Sequence, residues 1–246
     1  MNDLADKVII VTGGNGLLGQ SIANDLQSNK AIVLNAELNT ENKTKAEYIQ
    51  CDITSQQSIE NAINQVIDKY GKIDGWVNNA YPRTSDWGTK FENIPYESWQ
   101  KNVDLQLNSI FLCCQAVLKV MQQQKSGSII NISSIYGVVG PDFMVYDGTE
   151  MTMPAAYSAI KGGIVNFSRY LASYFGPSGI RINCVSPGGI FDHQNEKFVT
   201  QYEKKVPMKR MGLPNDISPT VSFLMSDGAK YITGQNIIID GGWTAI

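Results

Sequence analysis

Short runs of apolar and β-branched residues alternate with longer stretches of helical period along nearly the whole chain. That alternation constrains the architecture more than any other feature of the sequence. Strands are predicted over 8–12, 31–35, 48–51, 75–78, 128–132, 180–185 and 236–240, and helices over 17–29, 56–70, 96–124, 154–175 and 214–225. The first strand, Val8-Ile9-Ile10-Val11-Thr12, is apolar without interruption, as a strand covered on both faces must be. Parallel neighbours need crossovers of a dozen or more residues, and the helical stretches supply them. The expected fold is α/β, a doubly wound parallel sheet of seven strands with helices on both faces. No linker, internal repeat or low-complexity tract interrupts it, so residues 1–246 read as one domain. Ligands of such sheets bind beyond the carboxyl ends of the strands, where strand order reverses.

Composition narrows the classes of partner. Apolar residues are 43% of the chain and charged ones 17%, which suits a packed globule. Twenty basic side chains against 23 acidic ones leave a net charge of −3, so no basic excess recruits nucleic acid or an anionic membrane. The opening Met1-Asn2-Asp3-Leu4-Ala5-Asp6-Lys7 lacks the pattern of a secretory signal. No apolar run is expected to reach the roughly 20 residues of a membrane span. Cys51, Cys113, Cys114 and Cys184 form no CxxC pair and fall in segments that read as buried. Cysteine used in this way suits a reduced, cytoplasmic compartment. No His, Cys or Asp cluster has metal-ligand spacing, no GxxxxGK[ST] turn is present, and the lone His193 lacks a nucleophile-elbow context.

The first strand runs into Thr12-Gly13-Gly14-Asn15-Gly16-Leu17-Leu18-Gly19 and then a helix. Gly14-x-Gly16-x-x-Gly19 between a strand and a helix is the turn that lets backbone approach a pyrophosphate at a helix N-terminus. Glu37, about 20 residues on, stands where a carboxylate binds the hydroxyls of an adenosine ribose, which makes the sheet Rossmann-type. A carboxylate there repels a 2′-phosphate, so NAD is expected over NADP, although Lys43 and Lys45 lie near in sequence. The plainer alternative is an ordinary tight turn with a solvated acid.

Tyr157-Ser158-Ala159-Ile160-Lys161 opens a helix, and its spacing puts Tyr157 and Lys161 on one face, a turn apart. A phenol ionises near pH 10, so making it a base at neutrality requires about 4 kcal/mol of preferential stabilisation of the phenolate. An adjacent ammonium and an oxidised nicotinamide supply charge of the right sign. Ser133-Ser134 follows the fifth strand, at the edge where a hydroxyl can polarise a substrate oxygen or simply form a turn.

Taken in order, the glycine turn, Asp52, Asn78-Asn79-Ala80, Asn131-Ile132-Ser133-Ser134, Tyr157-x-x-x-Lys161, Pro187-Gly188 and Gly234-Gln235-x-x-x-x-Asp240-Gly241-Gly242 resemble the short-chain dehydrogenase/reductase family over essentially the whole chain. That resemblance implies an NAD(P)-dependent oxidoreductase acting on CH–OH groups. Ser134 and Tyr157 would be its catalytic serine and acid/base. Lys161 would bind the nicotinamide ribose and lower the tyrosine pKa. Gly13, Asn15, Gly16, Leu17, Leu18 and Gly19 would receive the cofactor with Glu37, Asp52 and Ile53. Asn79, Ala80, Pro187, Gly188 and Ile190 would line the cleft further on, Ile190 through its backbone. Such enzymes assemble as tetramers or dimers, so a homo-oligomer is expected.

The pattern also departs from the family. Gly13 is followed by Gly16, a spacing more like the sugar-nucleotide epimerases and dehydratases. Tyr81 stands where glycine is usual, and Asp192 where threonine often binds the carboxamide. Gln106 aligns with the family's catalytic asparagine, while Asn102 lies a turn earlier on the same face. A longer amide can still hold a relay water, so Gln106 is a candidate site.

Twenty-two residues separate Ser134 from Tyr157, more than is usual, and the added stretch is 140–153. Joining two catalytic residues, it must lie beside the active site, within substrate loops expected at about 137–156 and 189–212. Its polar Asp142, Tyr146, Asp147, Thr149 and Glu150 suit a hydroxyl-rich substrate, the alternative being a loop for subunit packing. With Asn79-Ala80-Tyr81-Pro82-Arg83 and Pro187-Gly188-Gly189-Ile190-Phe191-Asp192, it resembles family members of flagellin-modification, surface-glycan and nonulosonic-acid pathways. Arg83 would then meet a phosphate, or else simply face solvent. Tyr146 and His193 are further candidates for the substrate mouth. The implied substrate is a sugar phosphate or nucleotide sugar. A 3-oxoacyl or small-carbonyl reductase, and a cofactor-binding regulator with little turnover, are the alternatives.

Overall fold

A computed structural model describes residues 3–39 and 44–246. Its seven strands are β1 (Val8–Thr12), β2 (Ile32–Glu37), β3 (Glu47–Gln50), β4 (Gly75–Asn78), β5 (Gly127–Ile132), β6 (Ile180–Pro187) and β7 (Asn236–Ile239). They form one sheet in the order β3-β2-β1-β4-β5-β6-β7, with every pairing parallel. The helices are α1 (Leu17–Ser28), α2 (Gln56–Tyr70), α3 (Tyr96–Val103), α4 (Ser109–Gln124), α5 (Ala155–Phe175), α6 (Glu196–Lys205) and α7 (Pro214–Met225).

The alternation of side chains along β1 explains why it is apolar throughout. Val8 and Ile10 enter the core shared with α2, α4 and α5, whereas Ile9 and Val11 enter the core shared with α1 and α7. The ends of the helices follow local chemistry. The Ser55 hydroxyl accepts the Ser58 N–H at the start of α2, and Gly71, at φ 73°, ends it in the left-handed region.

Several boundaries differ from the expectation. β2 runs on to Glu37 and β6 to Pro187, because their last residues still pair with Gln50 and Ile239. Pro154 is the N-cap of α5, at ψ 135°, not a residue of its first turn. Helix α6, absent from the expected elements, lies between β6 and α7. Its start carries a recognisable cap, with the Asn195 side chain accepting the Lys197 N–H at 2.9 Å.

The expected helix over 96–124 divides into α3 and α4, joined by a π-type turn at Asp104–Asn108. The 29 residues Tyr96–Gln124 are long and apolar enough, by length and composition, to cross a membrane, contrary to the expectation. Their apolar side is spent on the sheet: Cys113, Cys114, Val117, Leu118 and Met121 are buried in the core. All four cysteines are buried and unbridged.

Strand order reverses between β1 and β4. A cleft of about 1060 Å³ opens beyond the carboxyl ends there, running from the glycine turn after β1 to the loops after β5 and β6. Ligand sites commonly measure roughly 300–1,000 Å³, so this cleft has room for a cofactor and a substrate together.

Candidate active site

The turn after β1 forms one end of the cleft. Gly13 has φ 65°, and a Cβ there would lie 2.8 Å from the Ala80 Cα; a Cβ on Gly19 would lie 2.1 Å from the Gly13 carbonyl oxygen. Both glycines are therefore required by the protein's own backbone. Gly16 differs, since a Cβ there would meet only the Gly13 oxygen, at 3.3 Å. It is the N-cap of α1, with no side-chain cap and no acid in the first turn, so the helix N-terminus is left open for an anion. These features fit a dinucleotide pyrophosphate.

Gly13, Gly16, Leu17, Leu18, Glu37, Asp52 and Ile53 line this end, as expected. Asn15 and Gly19 do not reach the wall; they shape the turn. The Asn15 N–H donates to Glu37 Oε1 at 2.5 Å, which holds the carboxylate against the turn. Lys45 is exposed and off the wall, and Lys43 lies outside the described residues. The Asn79 amide donates to the Thr12 and Gly13 carbonyls at 3.1 and 2.9 Å, so it pins β4 to the turn while lining the cleft beside Ala80.

The catalytic candidates converge on the floor between β5 and α5. The Ser133 hydroxyl donates to the Lys161 carbonyl at 2.9 Å, and a Cβ on Gly137 would lie 2.7 Å from that same peptide group. This close packing sets Ser134 opposite α5, where its hydroxyl accepts the Tyr136 N–H at 3.2 Å and lies near enough to the Tyr157 phenol to favour its ionised form. Lys161 is buried, and its Nζ donates to the Ile132 carbonyl at 2.9 Å and sits 5.5 Å from the Tyr157 ring centroid.

Burial lowers the Lys161 pKa to about 8. Burial also raises that of Tyr157, and the nearby Ser134 hydroxyl opposes the rise only in part. The expected acidification of the phenol is thus not present in the protein alone. Desolvation of a phenolate outweighs what Ser134 returns, and the Lys161 ammonium is directed at a carbonyl.

The two amides of the long helix separate clearly. Asn102 accepts the Thr84 N–H at 3.2 Å and donates to the Thr84 hydroxyl and the Ser98 carbonyl, each at 2.8 Å. It is committed to holding the loop that follows β4. Gln106, at 3% exposure in the π-type turn, is not on the cleft wall, which takes Leu105 from this turn instead, and neither polar atom of its side chain has a partner among the described residues. A buried amide left unpaired is costly, so Gln106 is the one of the two with capacity for a water or a ligand group.

The far end is aromatic. The Tyr81, Trp87 and Tyr157 rings meet edge to face at 5.8–6.3 Å, and the Arg83 guanidinium lies 5.1 Å from the Tyr81 centroid, on the wall. Tyr146 is buried and stacks on Phe198 at 5.2 Å. The acids of the inserted stretch do not meet the cleft, contrary to expectation. Asp142 pairs with Lys205 of α6, and Asp147, Thr149 and Glu150 are off the wall, which takes Met151, Thr152 and Met153 instead. Asp142 has turned to α6 and Asp147 and Glu150 to the exposed surface, as have Phe143 and Met144, while Val145 and Tyr146 are buried. His193 is likewise not on the wall; it is exposed, at φ 55°, with its ring against Phe191. Pro187, Gly188 and Ile190 line the cleft together with Asp192 and Gln194. Trp87, Tyr136, Phe198, Tyr202 and Met211, on the same wall, carried no signal in sequence order.

A family model described as enoyl-(acyl carrier protein) reductase matches residues 18–244. The post-translational flagellin modification protein A of Campylobacter coli is 37% identical over 98% of this chain and 99% of its own. A 3-oxoacyl-[acyl-carrier-protein] reductase of Synechocystis sp. is 33% identical over 98% of each. Among solved structures, a short chain dehydrogenase from Leptospira borgpetersenii serovar Hardjo-bovis with bound NAD+ is 35% identical, with a TM-score of 0.89 over 98% of this chain and 94% of that one. Levodione reductase follows at 27% identity and a TM-score of 0.87, over 98% and 99%. With the parallel sheet, the glycine turn and the Ser134–Tyr157–Lys161 floor in place, the chain belongs to the short-chain dehydrogenase/reductase family of oxidoreductases.

Proposed function

We propose that this protein is an NAD-dependent dehydrogenase/reductase that moves hydride between nicotinamide and a secondary alcohol or ketone carbon of a sugar phosphate or nucleotide sugar. The observation that carries the reading is the gathering of Ser134, Tyr157 and a buried Lys161 on the wall of the same cleft as the glycine turn and Glu37. A bound oxidised nicotinamide supplies the hydride acceptor and a positive charge. Tyr157 exchanges the proton of the substrate hydroxyl, and Ser134 holds the oxygen. The Lys161 ammonium favours the phenolate. Gln106 holds the water that returns the proton.

Glu37, at the adenosine end, favours NAD, since a carboxylate repels a 2′-phosphate. The sugar reading draws on three supports: the Tyr81–Trp87 rings as a platform for a sugar face, Arg83 as a fork for phosphate, and the likeness to the flagellin modification protein. The whole chain would then serve as one domain, cytoplasmic, as a tetramer or dimer. The acyl alternative has its own observation, the methionines 151, 153 and 211 on the wall, and the likeness to the Synechocystis reductase.

The deciding experiment follows NADH absorbance over a panel of sugar phosphates, nucleotide sugars and an acetoacetyl thioester. Turnover with a sugar derivative is expected, and turnover confined to the thioester would replace the substrate reading. NADPH at least as efficient as NADH would overturn the cofactor preference. NADH binding with no turnover, and no effect of Tyr157→Phe, would favour a regulator.

A further inference from the structure

The backbone after β6 is held by an unusual set of bonds. The Gly188 N–H donates to the Ile239 carbonyl at 2.9 Å, and the Gly189 carbonyl accepts the Gly212 N–H at 2.9 Å. The Ile190 carbonyl accepts from the Gln194 side chain at 2.7 Å. The Gly189 N–H is taken by a side chain from another element: it donates to the Tyr202 hydroxyl of α6 at 2.5 Å.

Tyr202 is built to hold that position. It is 2% exposed, its ring stacks on Trp243 at 4.5 Å and 21°, and it meets Phe198 at 5.8 Å. A Cβ on Gly189 would lie 2.7 Å from the Tyr202 ring, and one on Gly188 would lie 3.0 Å from its hydroxyl. Neither glycine has a positive φ. Backbone freedom therefore does not call for glycine at these positions; the approach of Tyr202 does at Gly189, while at Gly188 the Asp240 Cα, 2.9 Å from such a Cβ, shares that role. Burial pushes the Tyr202 hydroxyl up to about 12, so it stays a neutral partner across the working range of pH.

We infer that Tyr202 is a positioning residue for the nicotinamide end of the cofactor, its hydroxyl holding the Gly188-Gly189-Ile190 backbone in the shape that receives the carboxamide. This rests on the reading that places the nicotinamide beside that segment. Through the same ring, the cap formed by α6, the inserted stretch and Trp243 is joined to cofactor binding, so its packing bears on NADH affinity.

The test compares binding of NADH and of ADP-ribose, which lacks the nicotinamide, by titration calorimetry. Wild-type protein should bind NADH more tightly; equal affinities would remove the underlying placement of the nicotinamide. Tyr202→Phe keeps the ring stack and frees the Gly189 N–H. It should weaken NADH by about tenfold and leave ADP-ribose within about twofold. Trp243→Leu loosens the ring without deleting the hydroxyl, and should shift the NADH to ADP-ribose ratio in the same direction by less. It decides the matter if Tyr202→Phe does not fold. An unchanged ratio in the variants that fold, with wild type still preferring NADH, overturns the role of Tyr202.

Discussion

At the glycine turn the cleft wall is made of backbone, and the spacing of Gly13 and Gly19 follows from contacts that a single methyl group would break. At the other end the wall is made of side chains from segments far apart in sequence: Tyr81 and Trp87 after β4, Tyr146 and Met151 in the inserted stretch, Phe198 and Tyr202 on α6. A wall of backbone tolerates few substitutions and receives the part of a ligand that does not vary. A wall of aromatic packing can be rebuilt residue by residue, and it is where one relative's substrate can differ from another's. Tyr157 stands at the junction, with the Tyr81 and Trp87 rings on one side and the Lys161 ammonium 5.5 Å from its ring centroid on the other.

The largest effect should come at that junction. Tyr157→Phe keeps the ring contacts and removes the proton carrier, so kcat should fall by about 10³-fold with little change in NADH affinity. A loss below about tenfold would move proton transfer elsewhere.

Gly19→Ala sharpens the contrast from the backbone side. Its methyl group has no room against the Gly13 carbonyl, and a cost of about 3 kcal/mol or more is expected in denaturant unfolding, together with loss of NADH binding. An alanine accepted without cost would contradict the rigid turn.

Lys161→Met tests the charge on the floor. The folded-state pKa, about 8, is below the ordinary 10.5, so the folded protein gives up this proton first. Holding the ammonium therefore opposes folding in full below pH 8, by about 3 kcal/mol, and the opposition fades as pH rises from 8 towards 10.5. The stability of the methionine variant relative to wild type should be greatest near pH 7 and decline by pH 10. A difference that is flat with pH would mean that burial does not shift this lysine. Gln106→Leu follows, with kcat lowered by about tenfold and unfolding stability no worse than wild type, because the amide it replaces is unpaired.

The smallest effect belongs to the inserted stretch. Glu150→Ala, off the wall and exposed, should leave kcat/KM within about twofold. A large loss there would return the insertion's polar groups to the substrate site.

Much of the fold was legible in order along the chain because parallel strands and their crossover helices are local patterns. β1, α2, β4 and α7 lie where periodicity puts them, and Ser134, just after β5, and Tyr157 and Lys161, in the first turns of α5, meet where the sheet brings those ends together. Helix α6 went unread because Glu196–Lys205 carries only a short apolar stripe of Phe198, Val199 and Tyr202 among charges, although Asn195 before it is a usable cap signal. The side-chain roles at the substrate end were read less well. Asp142 and Glu150 look like substrate contacts in a list of residues, but Asp142 found Lys205, 63 positions away, and Glu150 found water.

By itself the sequence determined the α/β alternation, the glycine turn and the helical spacing of Tyr157 and Lys161, since each depends on neighbours within a few positions. Tertiary structure alone decided which amide is left unpaired, which way the inserted acids face, and that Tyr202 reaches Gly189. These depend on competition among distant groups for the same hydrogen bonds and the same buried space, and such competition is settled only when the chain is packed.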